Sequence, residues 1–249
     1  MTINSLRSAI RMIILESVAT TGYKMIFLAG LPGSGKSTLL KQLGIADKFT
    51  NCNIDRFFEP ELEENLGTKN LHDLKVNFLR LHYARKEKLA NGQELSPEEI
   101  DEYEAAAELN RAEGRLFRSA IKQFKEQIGE VCGVGANFII DGTAVSTKKT
   151  KDDTEKYRNL GYDVAMIFVD IDVETSVERN FQRGEKGDRA IHDEIIRNQG
   201  ARMAAQGNVD VYSEFFGENF FLVSNRGTFE EYQEEIESIR AGVQAFMES

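Results

Sequence analysis

Tryptophan is absent, and proline and histidine each occur only three times in 249 residues. The two cysteines, Cys52 and Cys132, lie far apart and form no CxxC pair. So few thiols give no disulfide framework, and His72, His82 and His192 show no zinc-ligand spacing. Free thiols fit a reducing compartment, so a cytoplasmic location is expected. No apolar run reaches the ~18–20 residues that a membrane-spanning helix needs. Low proline with 20 glycines argues against linker-rich or low-complexity architecture.

Positive charge is also in short supply. Against 41 acidic residues stand 31 basic ones, so the formal net charge is 31 − 41 = −10. Non-specific nucleic-acid binding is driven by phosphate neutralisation, so this balance disfavours it, although a local basic groove stays open. The chain is 41% hydrophobic and 29% charged, ordinary for a soluble globular protein. Its length allows one large domain or two small ones.

Residues 1–22 are expected to form an amphipathic N-terminal helix, because Arg7, Arg11 and Glu16 interrupt an otherwise apolar run. Core packing or docking to a protein partner is the favoured role, with membrane attachment or targeting as the alternative. Residues 23–249 then read as one domain. Tyr23–Ala29 is a short run apolar on both faces, which predicts a buried strand. Further strands are expected at 52–54, 137–140, 164–169 and 220–223, and helices at 37–43, 175–183 and 229–246. Between the second and third strands lies a helical insertion of about residues 61–131, with Leu71, Leu74, Phe78, Leu81 and Leu89 at helical spacing. Ser96-Pro97-Glu98-Glu99 is a helix-start signal within it, and Gly114 is a candidate break. The insertion is a second candidate docking surface. Alternating strands and helices imply an α/β fold with a mainly parallel sheet flanked by helices.

The strongest motif is Gly30-Leu31-Pro32-Gly33-Ser34-Gly35-Lys36-Ser37, which fits G-x-x-x-x-G-K-[ST] between a strand and a helix. Glycines let backbone N–H groups turn onto phosphate oxygens, and the helix N-terminus adds partial positive charge. Lys36 then reaches the β- and γ-phosphates, and Ser37 ligates Mg²⁺, with Thr38 next in line. These residues predict binding of a nucleotide, ATP with Mg²⁺. Asp55, at the end of the second strand, either takes or positions the proton of an attacking hydroxyl or caps a helix. Its neighbour Arg56 is a substrate ligand or a surface residue. Asp141, before Gly142 and Thr143, orders Mg²⁺ through water, holds a substrate hydroxyl or simply ends a strand. Arg179 and Arg189 are candidates to neutralise a transferring phosphoryl group, whereas Arg183 and Lys186 read as surface charges. Asn225 and Arg226 follow the last strand, where the corresponding loop of nucleoside-phosphate kinases often meets adenine.

The motifs GLPGSGKST (30–38), NIDRF (53–57), IIDGT (139–143), SVERN (176–180), Arg189-Ala190 and SNRG (224–227) together resemble the zeta-toxin family of P-loop kinases. The polynucleotide-kinase-like group is next nearest. The resemblance implies a P-loop NTPase-type fold, Lys36 as the phosphate-loop lysine and Asp55 as catalytic base. It further implies substrate contacts from Asp141 and Thr143, and lid-region arginines at Arg179 and Arg189. The family usually carries Glu where Asp141 stands, and its best-known substrate is a UDP-linked amino sugar. The expectation is therefore a kinase moving the ATP γ-phosphate to a hydroxyl of a small molecule, such as a nucleotide sugar. Two alternatives remain: a kinase of nucleic-acid ends or modified bases, and a non-catalytic ATP-binding scaffold.

Overall fold

The computed structural model describes residues 22–249. The helix expected over residues 1–22 therefore falls, Gly22 apart, outside the described residues. Five strands run in the order of the chain: β1 (Tyr23–Ala29), β2 (Thr50–Asn53), β3 (Phe138–Asp141), β4 (Tyr162–Asp170) and β5 (Phe220–Ser224). They pair in parallel throughout, in the order β2-β3-β1-β4-β5. The most continuously apolar strands, β1 and β4, sit inside the sheet, where both faces are covered. The second strand begins two residues earlier than expected, and Ile54 already belongs to the cap of the following helix.

Nine α-helices occur among the described residues: α1 (Lys36–Leu43), α2 (Asp55–Leu66), α3 (Leu71–Ala90), α4 (Pro97–Gly133), α5 (Thr147–Arg158), α6 (Val173–Glu185), α7 (Asp193–Gln206), α8 (Asn208–Phe216) and α9 (Phe229–Glu248). Gly114 does not break α4, since one glycine costs a long helix only about 1 kcal/mol. The helix α8 had no counterpart in the sequence reading. It is only nine residues long, too short for a helical period to stand out, and Gly207, at φ 59°, separates it from α7.

The chain divides into two compact units. Among the described residues, the first comprises 22–53, Lys125–Ser176 and Asn198–Ser249. Its sheet buries alternate residues on opposite faces, as the pleat requires. On one face Ile26, Leu28, Ile139, Ile167 and Val169 pack with Leu39 and Leu43 of α1 and Tyr232, Ile236 and Val243 of α9. Aromatic rings meet elsewhere in this unit: Phe27 lies against Tyr157 and Phe216, and Phe138 against Tyr157 and Tyr162.

The second unit comprises Ile54–Phe124 and Val177–Arg197 and is helical. Its core is Phe58, Leu62, Leu71 and Ala120, with Ile54, Leu74, Leu116 and Ile191 packed around them. Local capping sets its helix starts. Asn70 Oδ1 accepts from Asp73 N at the head of α3. At the head of α4, Ser96 Oγ accepts from Glu99 N at 3.2 Å while Glu99 Oε2 accepts from Ser96 N at 3.0 Å, a reciprocal capping box.

Candidate functional site

In the first unit the glycine-rich loop joins β1 to α1. Gly30 has φ 143°, and a Cβ there would stand 2.5 Å from Val169 O, so only glycine fits against β4. Gly35, at φ 96°, forms the N-cap of α1 without a side-chain capping bond. The first-turn N–H groups of α1 thus carry no capping side chain, the arrangement that receives an anion.

The loop carbonyls are taken up by donors from elsewhere in the unit. Ser176 Oγ donates to Pro32 O at 2.6 Å, Asn225 Nδ2 to Ser34 O at 2.7 Å, and the Tyr232 hydroxyl to Gly35 O at 3.0 Å. Lys36 Nζ donates to Gly30 O at 2.9 Å and Leu31 O at 3.2 Å. With five carbonyls engaged this way, the peptide planes of the loop are held in one orientation. Ser34 Oγ is buried and has no hydrogen-bond partner. An ammonium, an uncapped helix start and an orphaned hydroxyl are a donor set that suits phosphate.

The carboxyl ends of the strands carry the other first-unit candidates, where an open α/β sheet binds ligands. Asn53 ends β2 and Asp141 ends β3, directly opposite in register, and Asn53 Nδ2 donates to Asp141 Oδ2 at 2.9 Å. After Gly142 and Thr143 the chain passes through Ala144, which has φ 49°, a left-handed conformation that costs an alanine about 1–2 kcal/mol. It is held there from α8: Tyr212 OH donates to Ala144 O at 2.6 Å and Asn208 Nδ2 at 3.0 Å. Arg226, expected near a base, pairs with Asp170 at the end of β4, Nε to Oδ2 at 2.8 Å.

In the second unit Asp55 opens α2, and Arg189 approaches it, Nη1 to Oδ1 at 2.5 Å. The Arg189 guanidinium also lies 5.4 Å over the Phe58 ring. From Asp55 a groove of about 490 Å³ follows one face of α2, lined by Asp55, Arg56, Glu59, Pro60, Glu63, Glu64 and Lys69. Burial, with Asp55 nearby as a like charge, pushes the Glu59 carboxyl above its ordinary range, against the pull of Arg189, Arg183 and Lys69. Arg179 is half-buried on α6, one turn before Arg183.

The structure thus joins Asp55 to Arg189, which are 134 residues apart, and joins Asn225 to the phosphate loop. Asn225 works there through Ser34 O, against the loop itself. The sequence reading missed Ser176 and Tyr232 as loop supports and Asn208 and Tyr212 as supports of the loop after Asp141. Ser176 lay within a motif already singled out, whereas the other three carry no local signal. Among the described residues, no three His, Cys, Asp or Glu side chains group as metal ligands, and no helix is long and apolar enough to cross a membrane.

Comparison with known proteins agrees with this architecture. No curated protein matches the sequence significantly. A solved candidate kinase from Chloroflexus aurantiacus J-10-fl is similar in fold, with TM-score 0.51 and 16% identity over 91% of this chain and 99% of that one. A gluconokinase from Sinorhizobium meliloti 1021 has TM-score 0.43 and 14% identity, over 91% of this chain and 97% of its own. The PezAT toxin–antitoxin system of Streptococcus pneumoniae has TM-score 0.41 and 14% identity, over 100% and 99%. The AAA domain family matches residues 25–206, nearly three quarters of the chain, and with the parallel sheet and phosphate loop in place this chain belongs to that family as a P-loop kinase-like, nucleotide-binding protein.

Proposed function

We propose that this protein is an ATP-dependent phosphotransferase that moves the γ-phosphate to a hydroxyl of a small molecule. The observation that carries the reading is the Asp55–Arg189 pair at the head of the α2 groove. A carboxylate there takes the acceptor proton, and a guanidinium beside it meets the negative charge of the transferring group. Lys36, the N–H groups of Gly30 and of Gly33 to Thr38, and the Ser34 hydroxyl hold the triphosphate. Ser37 and Asp141 are the residues that would hold Mg²⁺, which usually binds through one or two protein oxygens, phosphates and water and offsets phosphate charge. The acceptor oxygen forms a bond to the γ-phosphorus, the bond to the β–γ bridging oxygen breaks, ADP departs, and Asp55 receives the proton. Arg179 supplies a second positive charge to the same phosphoryl group. Arg56, Asp141 and Thr143 contact the acceptor, and Asn225 with Arg226 stand on the nucleotide side.

The groove lining supports a small acceptor over a nucleic acid. It sets four carboxylates against Arg56 and Lys69, and Lys69 lies 3.5 Å from Glu63. Ionised carboxylates only accept hydrogen bonds, so they suit sugar-like hydroxyls and repel a phosphate backbone. A nucleotide sugar, the acceptor suggested by the zeta-toxin resemblance, would place its hydroxyls there and its diphosphate elsewhere. The lysine-rich start of α5 offers little compensation, because Lys149 is paired with Asp153 and Lys151 lies over Phe215.

The test is transfer from γ-labelled ATP with Mg²⁺ to a panel of nucleotide sugars, simple sugars, nucleosides and 5′-hydroxyl oligonucleotides. Label is expected on a small hydroxyl acceptor and lost in Asp55→Asn while ATP still binds. Label confined to oligonucleotides, or turnover indifferent to Asp55→Asn, overturns the reading.

A further inference from the structure

We propose that Asn180 is a positioning residue that sets Arg189 on Asp55. This rests on the phosphotransferase reading for its catalytic consequence, although the contact itself stands apart from it. Asn180 lies on α6 and is 2% exposed. Its side-chain amide makes a two-point contact with the main chain of Ile191: Nδ2 donates to Ile191 O at 2.7 Å, and Ile191 N donates to Oδ1 at 3.0 Å. Only an amide side chain supplies a donor and an acceptor side by side in this way. Within the second unit it acts as one more strand partner for a segment that belongs to no sheet.

The residue before Ile191 is fixed too. Ala190 O accepts from Leu71 N at 2.9 Å and His72 N at 3.2 Å, at the start of α3. Gly184 of α6 lies so close that a Cβ there would be 2.9 Å from the Ala190 Cβ. Ile191 packs at the edge of the Phe58–Leu62–Leu71 cluster. Residues 190 and 191 are therefore held from α6, from α3 and by the core, while the preceding segment from Glu185 to Asp188 is exposed. Arg189 is the last residue before the anchored pair. Its guanidinium reaches Asp55 because its backbone is stationary, and Asn180 supplies two of the bonds that make it so. Misplacing a charge-stabilising group by about 1 Å costs on the order of 100-fold in turnover.

The test uses the full chain and four proteins: wild type, Asn180→Asp, Arg189→Ala and the double variant. The Asn180→Asp carboxylate keeps the acceptor for Ile191 N, loses the donor to Ile191 O and sets negative charge against that carbonyl. Turnover is expected to fall about 100-fold with the ATP Kd within twofold of wild type, and amide exchange over 188–192 to quicken. In the Arg189→Ala background the same substitution should change turnover less than twofold, because its effect runs through Arg189. Gly184→Ala, which favours the helix but presses on Ala190, is expected to give the same split between turnover and ATP binding. It stands in if Asn180→Asp does not fold. Additive losses in the double variant, or unaltered exchange over 188–192, overturn the proposal. If wild type transfers phosphate to no acceptor, the phosphotransferase reading fails, and the exchange measurement still decides whether Asn180 holds the segment.

Discussion

Removing the Asn225 side chain tests whether the phosphate loop owes its shape to residues outside the motif. Asn225 is 5% exposed, and its amide donates to Ser34 O at 2.7 Å. Asn225→Ala takes that donor from a buried carbonyl, and leaving such a group unsatisfied costs about 1–3 kcal/mol. Urea denaturation should show that loss directly. If the bond also holds the Ser34–Gly35 peptide with its N–H toward the phosphates, part of the cost appears in nucleotide binding. The full amount corresponds to about a 5- to 150-fold rise in Kd. Tyr232→Phe is the calibrating variant, because it removes a hydroxyl from the next carbonyl, Gly35 O, which still accepts from Leu39 N at 3.0 Å. Its expected cost is smaller, about 0.5–1.5 kcal/mol. Titration of a fluorescent ATP analogue, competed with ATP, measures both variants. An unchanged Kd in Asn225→Ala together with lowered stability would refute the coupling of support to binding. A larger effect from Tyr232→Phe would refute the reasoning about which carbonyl has a second donor.

Tyr212→Phe should destabilise the protein by about 1–2 kcal/mol, since Tyr212 is fully buried and its hydroxyl bonds both Ala144 O and Thr150 Oγ1. Denaturation checks this, and Ala144→Gly in the same assay should be neutral or stabilising by up to about 1 kcal/mol, because φ 49° suits glycine. Glu59 carries a pH signature. Its carboxyl binds a proton more tightly in the folded protein than its ordinary 4.5 implies, so the native state takes up protons and stability falls as pH rises from 4.5 through the raised value. Glu59→Gln removes that dependence: its melting temperature should gain on wild type across that window and hold the gain at neutral pH, and a constant difference at every pH would contradict the assignment.

The α/β class was legible because its signals are local. Tyr23–Ala29 is apolar on both faces, so it demands cover on both, and β1 lies inside the sheet. The glycine spacing from 30 to 35 demands a tight turn into a helix, which the φ values at Gly30, Gly33 and Gly35 show. Ser96-Pro97 announced α4 for the same kind of reason, a cap whose partners lie within three residues. Where local signals were short, reading stopped: α8 spans nine residues, too few for a helical period to stand out.

The sequence by itself determined the strand–loop–helix that receives phosphate and the placing of acids after strands. Both follow from backbone sterics and side-chain periodicity over a few residues. Tertiary structure alone decided which distant residues serve that loop and which meet Asp55. Ser176, Asn225 and Tyr232 reach the loop carbonyls from α6, the turn after β5 and α9, each across more than 140 residues. Arg189 meets Asp55 because Asn180, Gly184 and the start of α3 fix the segment that carries it. No spacing rule anticipates such pairings, since a hydrogen bond between remote residues depends on the order of strands and the packing of helices, which only the whole chain's burial of its apolar faces sets.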